Sequence, residues 1–192
     1  VCESGPAAVA GWLADAFVPV RMAALAAIGE LGEEAGGAAP GVVTALGDVS
    51  PEVRRLAVHT LGRIGTATAE TLPALSKLLL DDDEGTRFSA ARAIVSLGGD
   101  AAAAMPVIAA TLESTDLRLA QEAAKTVGVL GPAASAATPA LVRMLSEGTR
   151  GVRIEAAWAL GRIGGAAAEA VPALVRMLSG TDPLERAGAA HV

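Results

Sequence analysis

The chain has 192 residues, a net charge of −6 and a single cysteine, Cys2. No internal disulfide can form, and nonspecific attraction to nucleic acid or to an acidic membrane surface is disfavoured. Apolar residues make up 52% of the chain but aromatics only 2%, which suits closely packed helices with alanine at their contacts better than a thick globular core.

Taken in order, residues 1–6 read as the tail of a preceding repeat or a loose end. From there, landmarks recur every 33 residues: Pro40, Pro73, Pro106, Pro139 and Pro172; Gly32, Gly65, Gly98, Gly131 and Gly164. A small residue recurs at Ala24, Ala57, Ala90, Ala123, Ala156 and Ala189, and a leucine at Leu13, Leu46, Leu79, Leu112, Leu145 and Leu178. Four columns in one register define an internal repeat. The units are 7–39, 40–72, 73–105, 106–138 and 139–171, with a partial unit at 172–192. The first is atypical, with Ala7 in the proline column and Phe17 in a capping position. The last stops before its Leu-Gly-x-Ile-Gly ending, so the expectation is a single repeat array, 1–192, belonging to a longer protein.

Within each unit the pattern predicts a helix, a turn and a longer helix. Residues 50–65 show why. Ser50 can accept from the first free N–H groups, and Pro51 sits where its missing N–H costs nothing. Val53, Ala57, Thr60, Leu61 and Ile64 fall on one helical face, and Gly65 supplies the left-handed residue that ends the helix. One such unit buries too few aliphatic side chains to offset the entropy of ordering its backbone, so neighbours must stack. The longest apolar run, 101–112, contains Pro106 and is too short for a membrane span. The composition leaves the compartment open, with the cytoplasm favoured.

The run Pro-Ala-Leu-Val-Arg-Met-Leu-Ser, a polar turn, Val-Arg-x-x-Ala and Leu-Gly-Arg-Ile-Gly resembles a HEAT repeat. It is most similar to the short HEAT-like type of phycobilisome-lyase-related proteins. The ankyrin repeat has the same period, but Thr138-Pro139-Ala140-Leu141 lacks its histidine, and the hairpin between repeats is missing. Armadillo units need a third helix that this period cannot hold. The resemblance implies an all-α protein, an α-solenoid of about five and a half two-helix repeats.

Two sets of columns could carry chemistry. Arginine recurs at Arg21, Arg54, Arg87, Arg153 and Arg186, broken by Ala120, and an acid or hydroxyl precedes each second helix at Ser50, Asp83, Asp116, Thr149 and Asp182. In the family that the chain resembles, such Arg and Asp positions bridge neighbouring repeats. Arg21, Arg54, Arg87, Arg153 and Arg186 with Asp83, Asp116 and Asp182 are therefore expected as a structural ladder, and Ala120 as a weaker joint. The acidic run 81–84 lacks the alternating spacing of a calcium loop, and Asp83 is better read as a helix cap.

The second set lies about 200° around the helix from Ala57, away from the core. It steps through His59, Arg92, Lys125, Trp158 and His191; four residues earlier come Arg55, Phe88, Gln121 and Ile154; four later, Arg63 and Arg162. The resemblance implies that second helices line the concave surface, where these residues would form a basic groove carrying apolar side chains. Exposed Trp and Arg are types enriched in binding hot spots. The plainer possibility is that Phe88, Ile154 and Trp158 fill space between neighbouring helices.

No catalytic constellation is present. The two histidines are about four repeats apart, no glycine-rich phosphate loop follows a strand, and no Cys/His set could bind zinc. The reading is a non-catalytic scaffold without a cofactor or metal, binding a protein or peptide of acidic character in the groove, with no nucleic acid and no membrane. A bilin-lyase-related module acting on tetrapyrrole-bearing proteins is the alternative that the repeat type implies. Nucleic-acid binding, known among HEAT-like modules, is disfavoured by the acidic balance.

Overall fold

The computed structural model describes residues 6–65 and 68–190. Cys2 and His191 lie outside the described residues. The chain divides into two compact units, Val1–Ala104 and Met105–Val192.

The first unit contains α1 (Pro6–Ala10), which passes into a 3-10 turn, then α2 (Val18–Leu31), α3 (Ala39–Ala45), α4 (Pro51–Ile64), α5 (Thr71–Leu78) and α6 (Glu84–Ser96). The next helix, α7 (Ala101–Thr111), spans the division. The second unit continues with α8 (Leu117–Leu130), α9 (Thr138–Glu147), α10 (Arg150–Ile163), α11 (Val171–Leu178) and α12 (Pro183–Ala190). Every regular element among the described residues is helical.

Packing repeats with the sequence. In the first unit α2, α4 and α6 lie side by side as second helices, and α1, α3 and α5 each pack on the second helix that follows. In the second unit α8, α10 and α12 form the same series, with α9 and α11 behind them. The alanine column explains the close approach: Ala57, Ala90, Ala123 and Ala156 are fully enclosed, so helix backbones meet with only a methyl group between them. Around that line sit Leu25, Ile28, Leu61, Ile64 and Leu75 in the first unit, and Ile108, Val127, Leu141, Leu160 and Ile163 in the second. The hydroxyl of Thr60, buried on the core face of α4, donates to the Leu25 carbonyl of α2 at 3.1 Å. Its polarity is therefore satisfied.

The chain reverses after each second helix at the glycine column. Gly32, Gly65, Gly98, Gly131 and Gly164 all have positive φ, between 57° and 72°, and no other described residue does. Gly65 takes the left-handed helical conformation, whereas Gly32, Gly131 and Gly164 have ψ near −135°. That region is essentially closed to residues with a Cβ. The expected left-handed ending thus holds at Gly65, and the three others turn the chain more sharply into 3-10 segments.

The proline column marks first helices but does not always begin them. Pro40, Pro139 and Pro172 occupy the first turn, as expected. Pro106 lies in the interior of α7, which starts at Ala101 instead of at the unit boundary. The run of four alanines favours helix strongly enough to extend it backwards across the proline. Asp100 accepts from the Ala102 N–H at 2.9 Å at the start of α7. Trp12 is 57% exposed in the 3-10 turn. Leu178 is half-exposed, unlike Leu13, Leu46, Leu112 and Leu145 in the same column.

Candidate functional site

The arginine column is built into the turns between first and second helices. Arg21, on α2, donates from Nε and Nη2 to both carboxylate oxygens of Asp48 at 2.6 and 2.8 Å. Its Nη1 binds the carbonyl of Asp15 at 2.8 Å. Arg54 repeats the arrangement one repeat on, with Nη2 to Asp81 Oδ1 at 2.6 Å and Nη1 to the Asp48 carbonyl at 2.8 Å. Each arginine thus ties its own turn to the turn of the next repeat. Arg87 donates to the carbonyls of Asp81 and Asp82, and Arg186 to those of Gly180 and Thr181. Arg153 pairs with Glu185 and binds the Gly148 carbonyl. Ala120 fills the arginine position as a buried methyl group.

The acidic partners differ from those expected. Asp48 and Asp81 stand two residues before the helix caps and answer Arg21 and Arg54. Asp83, Asp116 and Asp182 instead cap their own helices: Asp83 accepts from Thr86 N at 2.7 Å, Asp116 from Arg118 N at 2.9 Å and Asp182 from Leu184 N at 2.8 Å. Asp83 and Asp182 also reach back one repeat, but to Arg55 at 2.6 Å and Arg150 at 2.8 Å. The reason is reach. A guanidinium at position 54 extends along the turn, so its fork meets the turn's carboxylate and not the cap. The sequence carried the signal as a column of its own, Asp15, Asp48, Asp81 and Ser114. Each accepts from the backbone N–H two residues on.

Burial raises the carboxyl pKa of Asp48, but the hydrogen bonds from Arg21 and the Ser50 N–H outweigh it and hold the group below the usual carboxylate range. Asp83 is likewise pushed up by burial and brought below its ordinary value by Thr86 and Arg55. Both are charged at neutral pH.

The opposite faces of the second helices carry the other candidates. In the first unit, Arg55, His59 and Arg63 of α4 and Arg92 of α6 converge on one open cavity of about 600 Å³. Met22 of α2 with Leu56 and Ala93 supplies its apolar lining, and Glu52 is its acid. The cations are partly matched. Arg55 is held by Asp83, and Arg63 lies 3.3 Å from Glu30 in a well-exposed pair. The Arg92 guanidinium carbon stands 5.9 Å from the centroid of the Phe88 ring, a cation–π distance.

Phe88 departs from the expected groove. It is 3% exposed and lies beneath the surface, supporting Arg92. The column four residues before His59 sits where second helices touch: Arg55, Gln121 and Ile154 are half-buried and Phe88 is buried, whereas His59, Arg92, Lys125 and Trp158 are exposed. The two columns are four residues apart, and a net rotation of about 40° around the helix separates the two environments.

In the second unit, Lys125 of α8 and Ile154, Glu155 and Trp158 of α10 line an open cavity of about 480 Å³, bordered by Ala187 and Gly188 of α12. The Trp158 indole, 40% exposed, lies directly on Gly128 of α8. A Cβ at Gly128 would come within 2.6 Å of Cε3 and 2.9 Å of Cη2. Arg162 also reaches Gly128, its Nε at 3.4 Å from the carbonyl oxygen, and Gln121 packs against Gly151. Sequence reasoning passed over Gly128, although Gly29, Gly62, Gly128 and Gly161 recur at the repeat period, with Val95 in the remaining place.

No group of three or more His, Cys, Asp or Glu side chains among the described residues could hold a metal ion. No described helix is long and apolar enough to cross a membrane.

Paired helices stacked through an alanine line, glycine reversals and arginine clamps in the turns define an α-solenoid repeat protein. The sequence model of HEAT repeats matches residues 6–95, 39–125 and 104–192. The chain belongs to the HEAT-repeat family. Its fold is shared by a designed armadillo repeat protein solved in complex with the peptide (KR)4, at 21% identity over 98% of each chain and a TM-score of 0.73. An engineered protein is similar at 22% identity over 97% of this chain and 94% of that one, with a TM-score of 0.67. The complex of CpcE and CpcF of phycocyanin lyase from Nostoc sp. PCC7120 is similar at 23% identity, over 98% of this chain and 77% of that one, with a TM-score of 0.64. No curated protein sequence matches the chain.

Proposed function

We propose that the chain is a non-catalytic interaction scaffold that binds an acidic protein segment or peptide on its second-helix faces. One observation carries this reading. In a chain of net charge −6, Arg55, His59, Arg63 and Arg92 gather around one open cavity with an apolar lining. Exposed pairs such as Arg63–Glu30 contribute little to stability, so a partner's carboxylates can replace them at small cost. The lining then adds the apolar burial from which affinity comes. The designed armadillo protein was solved with a peptide made of lysine and arginine; the cations here call for a partner of the opposite charge.

Display selection of random peptides on the chain tests the reading. Peptides enriched in Asp and Glu next to apolar residues are the expected yield. Selection of Lys/Arg-rich peptides, or of none, would contradict it.

A further inference from the structure

The second unit's cavity has a construction that the first unit's lacks. Its walls are the Trp158 ring, the Ile154 side chain, Ala187 and the bare backbone of Gly188. Lys125 and Glu155 bring one charge of each sign to it, and Lys125 is already bonded to Glu122 at 3.1 Å. Net charge therefore does not select what enters. Shape and apolarity do.

Gly128 sets that shape. The indole rests on its Cα with no room for a methyl group, so the ring is held back on α8 and the space in front of it stays open. At Gly188, on the other side, a Cβ would meet Ile154 at 3.6 Å, an ordinary contact. The two glycines thus differ. One seats the tryptophan, and the other leaves the cavity unfilled. A half-exposed tryptophan held at a fixed angle presents a large rigid apolar surface at little entropic cost, the character of a binding anchor.

We propose that Gly128 and Trp158 form the seat of an anchor pocket that takes one bulky apolar side chain, leucine or phenylalanine in size, from an acidic partner. Gly128 is a positioning residue and Trp158 the contact. The inference rests on the scaffold reading above for the partner's acidic character, which the first unit's cations favour. It adds the side chain that the partner must carry.

The test uses the full chain with Trp12→Phe, which leaves Trp158 as its single tryptophan. Gly128→Ala and Gly188→Leu are compared in that background, with circular dichroism confirming equal helix content. The probes are short acidic peptides with one central Phe or Leu, and the same peptides with Ala in its place. Gly128→Ala should shift the tryptophan emission, because the ring must leave its seat. Gly188→Leu should fill the cavity and move the emission to the blue, because the added side chain covers the half-exposed ring while it stays on its seat. Both should weaken the Phe and Leu peptides on the order of tenfold and leave the Ala peptides nearly unaffected. Acidic peptides that bind both variants as tightly as the parent would overturn the anchor pocket while leaving the scaffold standing. Unchanged emission in Gly128→Ala would overturn the seat. Failure of every acidic peptide to bind the parent would remove the scaffold and the pocket together, and preference for Lys/Arg-rich peptides lost on Trp158→Ala would assign the ring to cations instead.

Discussion

Asp48→Asn is expected to lower stability by about 2 kcal/mol at neutral pH, and the loss should shrink to little in acid. Asp48 takes both arms of the Arg21 guanidinium and the Ser50 N–H, in a pair that is nearly buried on both sides. Breaking a fully buried pair costs about 3–5 kcal/mol. The smaller figure here reflects the carbonyls of Asp15 and Ala16, which still receive Arg21 after the substitution. The folded state holds the Asp48 carboxyl below its ordinary value. Its contribution is therefore complete above the unfolded pKa of about 3.9, and is lost as pH falls through the lower folded value. Thermal melts of both chains between neutral pH and pH of about 2 read this directly. A constant gap in melting temperature across that range would contradict the assigned role.

The second large effect is on binding. Arg63→Glu combined with Arg92→Glu should reduce affinity for acidic peptides on the order of a hundredfold, because two attractive charges become repulsive across one cavity. Both side chains are exposed, and the substitution leaves the Arg55–Asp83 pair and the cap of α6 intact. Arg55 is the less informative target, since losing it also removes the arginine from Asp83, the cap of α6. The native affinity should fall with rising salt, and that dependence should flatten in the variant. A variant that folds normally and binds acidic peptides as the native chain does would place the binding surface elsewhere.

The repeat, the helices and the core columns were legible because each rests on a local rule repeated in register: proline in a first turn, alanine at a helix crossing, glycine at a reversal. Pro106 misled because a proline is tolerated inside α7 when four alanines precede it. Of the expected ladder, Arg21, Arg54 and Arg153 reach an acid of the next repeat, whereas the bonds of Arg87 and Arg186 go to carbonyls of their own turns. The acids were not legible, since a long side chain decides its partner by reach and not by adjacency in sequence. Asp48 and Asp81 were available as a column, but caps gave Asp83 a readier explanation. Exposure of His59, Arg92, Lys125 and Trp158 followed from helical angle alone. Phe88 did not, because four residues' displacement puts its column at the line where neighbouring second helices meet, and there side-chain size decides what is covered. The seat of Trp158 depends on an atom that is missing from Gly128, which a hydrophobic pattern does not register.

The most direct test maps a bound acidic peptide by amide chemical-shift perturbation in solution. The shifts should concentrate on α4 and α6 around Arg55, His59, Arg63 and Arg92, and on α8 and α10 around Lys125 and Trp158. Shifts confined to α3, α5, α9 and α11 would show that the working surface is the first-helix side, and would contradict the assignment of partner binding to the second helices.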